Sequence, residues 1–248
     1  MQIKIGIVIA MEEEFQAISS LSLQKLENDD FYKVYTSSFN KLKLFTIISK
    51  IGKSATASAT THLINKYDPN FIINLGSAGG VNSTKVGSII LSTMAGYYDV
   101  DATAFGYKLG QIPQQNPFFK APANIIDGKE IISIVKQSHP QLVMDGFVIT
   151  GDSFVADKNK VDTIKNMYTS SNEAIAEISP YKETLAIDME AASFLQTCYL
   201  YNKDSLLIKK ISDMADSSAK ESFKTEINKM SENTAEVVKS ILNYFDKK

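Results

Sequence analysis

Short runs of β-branched residues alternate along this chain with segments of helical periodicity, and this alternation limits the possible folds more than any other feature. The β-branched runs cover residues 3–9, 42–48, 71–75, 88–91, 146–150, 185–188 and 206–211. The helical patterns cover residues 11–21, 54–67, 128–137, 161–167 and 190–201, followed by a long C-terminal segment. Several runs are apolar on both faces, as in a sheet covered by helices. The sequence therefore predicts a three-layer α/β/α architecture with a mainly parallel or mixed sheet.

Length and charge narrow the class of protein further. The chain has 248 residues, of which 44% are hydrophobic, and neither a repeat nor a linker divides it. We therefore expect a single domain over residues 1–248 with one full core. Its 26 basic residues are all lysines and are interspersed with 28 acidic residues. This distribution gives no basic footprint for nucleic acid, and we expect no nucleic-acid partner.

Targeting and metal-binding signals are also missing from the sequence. No apolar run approaches the roughly 18 residues of a membrane span, and residues 1–14 lack the basic front and cleavage site of a signal peptide. We therefore expect a cytoplasmic protein with no membrane association. The single cysteine, Cys198, excludes an internal disulfide and a thiolate zinc site. We expect neither a metal nor a cofactor.

One long segment, residues 95–124, is rich in glycine, proline, glutamine and aromatic residues. Irregular segments of this length inside a compact domain tend to be functional. The segment carries more aromatic side chains than a solvated loop needs, so we expect them to pack on a ligand or on a second subunit. Its aromatic residues are Tyr97, Tyr98, Phe105, Tyr107, Phe118 and Phe119.

Polar residues follow four of the predicted strands, at the edge where open α/β sheets bind ligands. Residues 12–14 are three glutamates after the first strand, and residues 74–80, "NLGSAGG", combine glycines suited to a tight turn with a serine hydroxyl. Residues 185–194, "LAIDMEAASF", place two acids between a strand and a helix. In residues 206–216, "LLIKKISDMAD", period-two alternation puts Lys209 and Asp213 on one side of the strand, where they can share a pocket.

Each of these segments also has a purely structural interpretation. Acids favour a helix N-terminus, which explains two of the three glutamates. Asp213 or Ser212 can cap a following turn, and Asp188 can cap the helix that follows it. The two histidines, His62 and His139, are not at strand ends, which leaves carboxylates as the candidate acid and base groups.

Taken together and in this order, the segments resemble the nucleoside phosphorylase/hydrolase superfamily, and within it the nucleosidases of methylthioadenosine and S-adenosylhomocysteine. The matching segments are "IAMEEE", "IGK", "NLGSAGG", "DVDATAFGYKLGQIP", "GDSFV", "AIDMEAA" and "ISDMAD", from residue 5 to about 216. The resemblance implies a phosphorylase/hydrolase-like fold whose central mixed sheet is partly barrel-like. It also implies cleavage of the N-glycosidic bond of an adenine thionucleoside by water.

The resemblance assigns roles to residues of this chain. Asp213 is the acid that protonates adenine N7, Glu14 activates the water, and Glu190 binds the ribose hydroxyls. An acid must keep its proton near neutral pH, so we expect burial or a neighbouring acid to raise the pKa of Asp213. The other implied substrate contacts are Met11, Ile51, Ser77, Ala78, Gly79, Phe154, Val155, Met189, Ser212, Phe223 and Lys209. Ala102, Phe105, Tyr107 and Pro113 are implied to reach the site from the second subunit of a homodimer.

Two departures from the family pattern bear on the reaction. Lys209 stands where relatives usually carry an arginine, and a lysine lacks the fork that holds two oxygens at once. The phosphorylases of the superfamily hold phosphate with arginines, and this chain has none. Hydrolysis is therefore favoured over phosphorolysis. Three alternatives remain, because a fold does not fix a function: hydrolysis of a related nucleoside such as an aminofutalosine, phosphorolysis by a purine nucleoside phosphorylase, and ligand binding without turnover.

Overall fold

The computed structural model describes residues 2–22, 24–26, 31–167, 184–231 and 233–248. The strands are β1 (Lys4–Ile9), β2 (Gln24–Lys25), β3 (Lys33–Phe39), β4 (Leu42–Ile48), β5 (Phe71–Gly80), β6 (Ile89–Ser92), β7 (Met94–Tyr97), β8 (Phe119–Lys120), β9 (Val143–Asp145), β10 (Phe147–Thr150), β11 (Thr184–Asp188) and β12 (Ser205–Asp213). The α-helices are α1 (Lys53–Tyr67), α2 (Gly128–Ser138), α3 (Lys158–Asn166), α4 (Ala191–Leu200), α5 (Ala219–Glu226) and α6 (Thr234–Asp246). Short 3₁₀ helices cover Glu13–Leu21, Thr103–Phe105 and Ile227–Lys229.

The strands form one mixed sheet that branches at β5. The main path runs in the order β2-β3-β4-β1-β5-β11-β10-β7-β8, and β12 leaves it by pairing with β5 and with β6. β5 is parallel to β1 and β12, whereas its last residues pair antiparallel with β11. The carboxyl ends of β1, β5 and β12 therefore lie on the same edge of the sheet, with the end of β11 close beside them.

Alternation along the central strands sends apolar side chains into two cores on opposite faces of the sheet. On β12, Leu206 and Ile208 belong to one core, and Leu207 and Ile211 belong to the other. Helices α2 and α6 and the first 3₁₀ helix cover the first face, while α1 and α4 cover the second. This arrangement confirms the three-layer α/β architecture predicted from the doubly apolar strands.

Three local predictions are corrected by the structure. The glycines of residues 74–80 do not make a tight turn, because β5 continues through them to Gly80. The segment 95–124 is less irregular than expected, since it contributes residues to β7 and β8. Residues 33–39, which were not assigned to a strand, form β3 in a hairpin with β4. Strand pairing overrides a weak local preference in all three places.

None of the helices in the described parts of the chain combines the length and hydropathy that crossing a bilayer requires.

Packing of α6 on the sheet predicts a large loss of stability when its aromatic contact is removed. The buried rings of Phe245 and Phe71 have centroids 4.9 Å apart. We expect Phe245→Ala to lower the free energy of unfolding by about 3–5 kcal/mol, because it deletes a buried ring and leaves a cavity. The matched control, Ile125→Ala, changes a side chain that is 77% exposed and should cost less than about 0.5 kcal/mol. Urea denaturation checks both values, and equal losses would contradict the packing described here.

Candidate active site

The polar strand ends surround one cavity of about 420 Å³. This volume lies within the range of roughly 300–1,000 Å³ that is typical of small-molecule sites. Most of the lining is apolar, and the acidic side chains among the lining residues are Glu14, Asp152, Asp188, Glu190 and Asp213. The cavity is therefore a mainly apolar pocket with carboxylates grouped at the carboxyl edge of the sheet.

Glu14 is held rigidly beneath this cavity although it lies on a 3₁₀ helix. Its side chain is 2% exposed. Oε2 accepts hydrogen bonds from the N–H groups of Ala10 and Met11, at 3.0 and 3.2 Å. Oε1 accepts from the N–H and the hydroxyl of Ser77, at 2.8 and 3.0 Å. Four donors aimed at two oxygens suit an ionised carboxylate, which only accepts hydrogen bonds.

The absence of a side chain at Gly76 makes room for two charged side chains, Glu14 and Lys209. A Cβ at this position would lie 2.9 Å from Glu14 Oε1 and 3.3 Å from Lys209 Nζ. A Cβ at Gly79 would likewise lie 3.1 Å from Asp213 Oδ1. The glycines of β5 thus allow close approach of side chains from two other elements, which is the role left to them once the predicted turn is excluded.

Asp213 ends β12 and turns its carboxyl group toward the cavity. Oδ1 accepts the N–H of Ala215 at 2.8 Å, and Oδ2 accepts the hydroxyl of Ser212 at 2.9 Å. Burial raises the pKa of Asp213, and the charge of Asp216 adds to this effect, while the two hydrogen bonds oppose it. The direction and the main cause agree with the prediction made from the sequence, and they favour a carboxyl group that keeps its proton at higher pH than usual.

Asp188 joins the end of β11 to the start of α4. Oδ2 accepts the N–H of Ala191 at 2.9 Å, which caps the helix as the sequence predicted, and Oδ1 accepts the hydroxyl of Thr150 at 2.6 Å. The Nζ atom of Lys209 lies 2.7 Å from Asp188 Oδ2, and both side chains are almost completely buried. The ion pair was not predicted, and it fixes the position of the lysine.

Lys209 is the buried counter-ion of the site. Its Nζ atom lies 3.9 Å from Glu190 Oε2, in addition to the closer contact with Asp188. Burial opposes the charge of Lys209, but the surrounding carboxylates Asp188, Glu190 and Glu14 outweigh it and raise the pKa of the ammonium group. Lys209 therefore stays charged in the interior. Its nearest partner is Asp188, which is not one of the proposed catalytic acids.

Glu190 is the buried acid with the weakest compensation. The N–H of Gly52, immediately before α1, donates to Oε1 at 3.0 Å. Burial, the largest cause, raises the pKa of Glu190 to about 7, and the charges of Asp188 and Glu14 add to it. Lys209 lowers this pKa only in part, because its closest contact is with Asp188. Glu190 can therefore change its protonation state near neutral pH.

The apolar part of the cavity suits a flat ring and a short alkyl group. The rings of Phe154 and Phe223 pack edge to face at one side of the cavity, with their centroids 5.8 Å apart. Phe154 is 49% exposed and Ile51 is 51% exposed, so both stand at the mouth of the cavity. When a ligand covers apolar and aromatic surface of this kind, removing that surface from water stabilises the complex.

The cavity brings together nearly all the residues that the sequence resemblance assigned to it from the same chain. Its lining includes Met11, Glu14, Ile51, Ser77, Ala78, Gly79, Phe154, Val155, Met189, Glu190, Ser212, Asp213 and Phe223. Lys209 does not line it and lies behind the carboxylates. The residues expected from a second subunit, Ala102, Phe105, Tyr107 and Pro113, do not line the cavity of their own chain. The roles of all these residues stay predictions.

Two contributors to the site were missed at the sequence level. Gly52 holds Glu190, and its φ of +103° is a conformation that favours glycine, so the "IGK" segment carried a usable signal. Asp152 lines the cavity and accepts the N–H of Lys53 at 2.9 Å, which ties it to the start of α1. Within the described residues, no cluster of histidine, cysteine and acidic side chains is suited to hold a metal ion.

Comparison with known proteins identifies the family. A family model described as the phosphorylase superfamily matches residues 4–243. The chain belongs to this superfamily. Its relatives include the 5'-methylthioadenosine/S-adenosylhomocysteine nucleosidase of Buchnera aphidicola subsp. Schizaphis graminum, which is 36% identical over 244 residues, or 96% of each chain.

Solved structures of nucleosidases show the same fold. The 5'-methylthioadenosine/S-adenosylhomocysteine nucleosidase of Neisseria meningitidis, in complex with methylthio-immucillin-A, matches with a TM-score of 0.83 and 28% identity over 98% of this chain and 99% of that one. The S-adenosylhomocysteine nucleosidase of Streptococcus pyogenes, in complex with 5-methylthiotubericidin, matches with a TM-score of 0.83 and 30% identity over 97% and 96%. These matches confirm the resemblance and the fold class predicted from the sequence motifs.

The raised pKa of Glu190 predicts how stability changes with pH. The folded pKa of about 7 lies above the ordinary value of 4.5, so the contribution of Glu190 to stability is complete below pH 4.5 and is lost as the pH rises through 7. The variant Glu190→Gln has no ionisable carboxyl group at this position, so its stability does not fall for this reason as the pH rises. Relative to the unaltered protein, we expect the variant to gain on the order of 2–3 kcal/mol between pH 4.5 and pH 8. Urea denaturation at both pH values measures the difference, and parallel pH profiles would rule out the shifted pKa.

Proposed function

We propose that this protein hydrolyses the N-glycosidic bond of 5'-methylthioadenosine and S-adenosylhomocysteine, releasing adenine and the 5'-thioribose. The observation that carries the proposal is the pairing, in one cavity, of a carboxyl group with a raised pKa and a carboxylate held by four donors. An N-glycosyl hydrolase needs both, since one group protonates the leaving base and the other activates water. Full-length relatives that carry this activity in their names support the same substrates.

The reaction can be written with the groups of this cavity. The C1'–N9 bond breaks as its electron pair moves into the adenine ring, and Asp213 gives its proton to N7. The ribose takes on oxocarbenium character, which nearby carboxylate charge from Glu190 stabilises. Water adds to C1' while Glu14 accepts a proton from it. The proton lost by Asp213 and the proton gained by Glu14 balance over one turnover.

The cavity favours water over phosphate as the nucleophile. Among the described residues that line it, none is basic, and the ammonium group of Lys209 is paired with Asp188. A phosphate ion would meet Glu14 without a cationic clamp, at a cost in electrostatic free energy. We therefore expect hydrolysis rather than phosphorolysis.

The absence of a phosphate clamp predicts that the reaction needs no phosphate as a co-substrate. We expect adenine release from methylthioadenosine and S-adenosylhomocysteine in phosphate-free buffer, with a rate that phosphate does not increase. A coupled assay for free adenine measures this directly, and aminofutalosine in the same panel tests the related-nucleoside alternative. A strict requirement for phosphate would exclude the proposed hydrolysis, and stoichiometric binding without adenine release would indicate a binding protein.

The assigned roles predict large kinetic effects of two isosteric changes. Asp213→Asn removes the transferable proton and Glu14→Gln removes the base, so each should lower kcat for methylthioadenosine about 10²–10⁴-fold. The control Glu236→Gln neutralises an exposed acid on α6, outside both the active-site cavity and its neighbour, and should leave kcat unchanged. Circular dichroism should show folded protein in all three variants. A near-normal kcat in either active-site variant would mean that its role is misassigned.

We also propose that a second copy of the chain completes the site, and that the enzyme acts in the cytoplasm. Ala102, Phe105, Tyr107 and Pro113 lie in a segment that does not line the cavity of its own chain, and the Phe105 ring is 83% exposed. An exposed ring in this segment is suited to cover the open mouth of another cavity, where Ile51 and Phe154 are half-exposed.

Completion of the site by a second copy predicts both a mass and a kinetic effect. Light scattering should give twice the chain mass of 27.4 kDa. Phe105→Ala should raise the KM for methylthioadenosine several-fold with little change in kcat, because it removes apolar cover from the bound substrate, roughly 1–2 kcal/mol. The control Ile125→Ala should change neither value. A mass of one chain, or a Phe105→Ala variant whose KM for methylthioadenosine is unaltered, would contradict the proposal.

A further inference from the structure

A second cavity adjoins the proposed active site. It has a volume of about 500 Å³ and shares three lining residues, Ala10, Met11 and Ile51, with the active-site cavity. Met11 and Ile51 are the residues that the sequence resemblance assigns to the alkylthio group of the substrate. The second cavity therefore begins where the 5' substituent of a bound nucleoside would end.

The lining of this second cavity carries charges of both signs, whereas the charged side chains that line the first are all acidic. Glu12, Glu13, Lys33 and Lys50 all contribute to it. Lys33 and Glu12 form an ion pair with each other. Among the described residues, no charged group pairs with Lys50 or with Glu13. Within the part of the chain that the structure describes, the cavity thus presents one lysine and one glutamate outside any ion pair, beside the pair of Lys33 and Glu12.

The backbone at Lys50 is fixed in an uncommon conformation that supports a specific placement. Its φ of +72° lies in the left-handed region, which costs free energy for a residue other than glycine. The hydroxyl of Ser49 donates to the carbonyl oxygen of Lys50 at 2.8 Å, and the N–H of Ser49 donates to Ile9 at the end of β1. The base of the Lys50 side chain is therefore anchored to the same strand that leads into Glu14.

We propose that this second cavity binds the amino-acid end of a long 5'-thio substituent, and that Lys50 and Glu13 set the preference for S-adenosylhomocysteine over methylthioadenosine. A zwitterionic amino acid carries one carboxylate and one ammonium group, which are opposite in charge to the Lys50 and Glu13 side chains that line the cavity. A methylthio group is too short to extend past the apolar slot formed by Met11 and Ile51, the residues that lie between the two cavities. The inference rests on the proposed function, because it needs the nucleoside in the first cavity.

The test compares three substrates that differ only at the 5' position. Methylthioadenosine ends in the slot, 5'-butylthioadenosine extends beyond it without charge, and S-adenosylhomocysteine extends beyond it with both charges. The variants are Lys50→Met and Glu13→Gln, which keep most of the side-chain volume. Lys136→Met is the matched control, since it removes one exposed positive charge from α2, outside this cavity. kcat/KM is measured for every pair of enzyme and substrate.

We expect Lys50→Met and Glu13→Gln each to lower kcat/KM for S-adenosylhomocysteine by roughly three- to fivefold, the effect of one exposed charge pair. The values for the two uncharged thioethers should not change, and Lys136→Met should change none of them. An unaltered ratio of the two natural substrates in both variants would overturn the inference. So would an equal loss with butylthioadenosine, because the lysine stem and not its charge would then be responsible.

Failure of the inference can be told apart from failure of the proposed function. If the unaltered enzyme releases adenine from methylthioadenosine and not from S-adenosylhomocysteine, hydrolysis of methylthioadenosine stands and the second cavity does not accept an amino acid. If it releases adenine from neither, the proposed function is wrong and the inference falls with it.

Discussion

The site depends on keeping several acids and one lysine out of water in a small volume. Asp188, Glu190 and Glu14 surround the ammonium group of Lys209, which is 0% exposed. Removing one partner of such a buried group costs about 3–5 kcal/mol, because it leaves an uncompensated charge. Lys209 is placed closest to the acid that caps α4. Glu190 is left with partial compensation and a pKa near the working range of an enzyme.

The branching of the sheet at β5 makes this concentration of charge possible. Glu14 reaches β5 from the 3₁₀ helix after β1, and Lys209 and Asp213 reach it from β12. β5 meets them with glycines, whose missing side chains allow approach to within about a van der Waals contact. The pairing of Gly79 with Ile187 brings the end of β11, and with it Glu190, to the same edge. Sheet topology thus converts four distant segments into one polar cluster beside an apolar pocket.

Much of this could be predicted from the sequence, because local patterns report local structure. Runs that are apolar on both faces predicted the strands covered by helices. Acids directly after those runs predicted which strand ends bind a ligand. Partners that depend on register between distant strands were not predictable. The contact of Lys209 with Asp188 requires β12 and β11 to meet through β5, and the bond from Gly52 to Glu190 spans 138 positions. The glycines of residues 76–80 suggested a turn because composition cannot reveal that strand pairing continues through them.

The charge of Lys209 lowers the pKa of Glu190, yet burial keeps that pKa at about 7, so Glu190 titrates near neutral pH. Carbon-13 NMR of the labelled glutamate carboxyl groups, assigned with Glu190→Gln, follows that titration directly. We expect a midpoint for Glu190 near pH 7, and a higher midpoint in Lys209→Met because the positive charge beside the carboxyl group is gone. A midpoint near the ordinary 4.5, unchanged when the lysine is replaced, would show that neither burial nor Lys209 controls this carboxyl group.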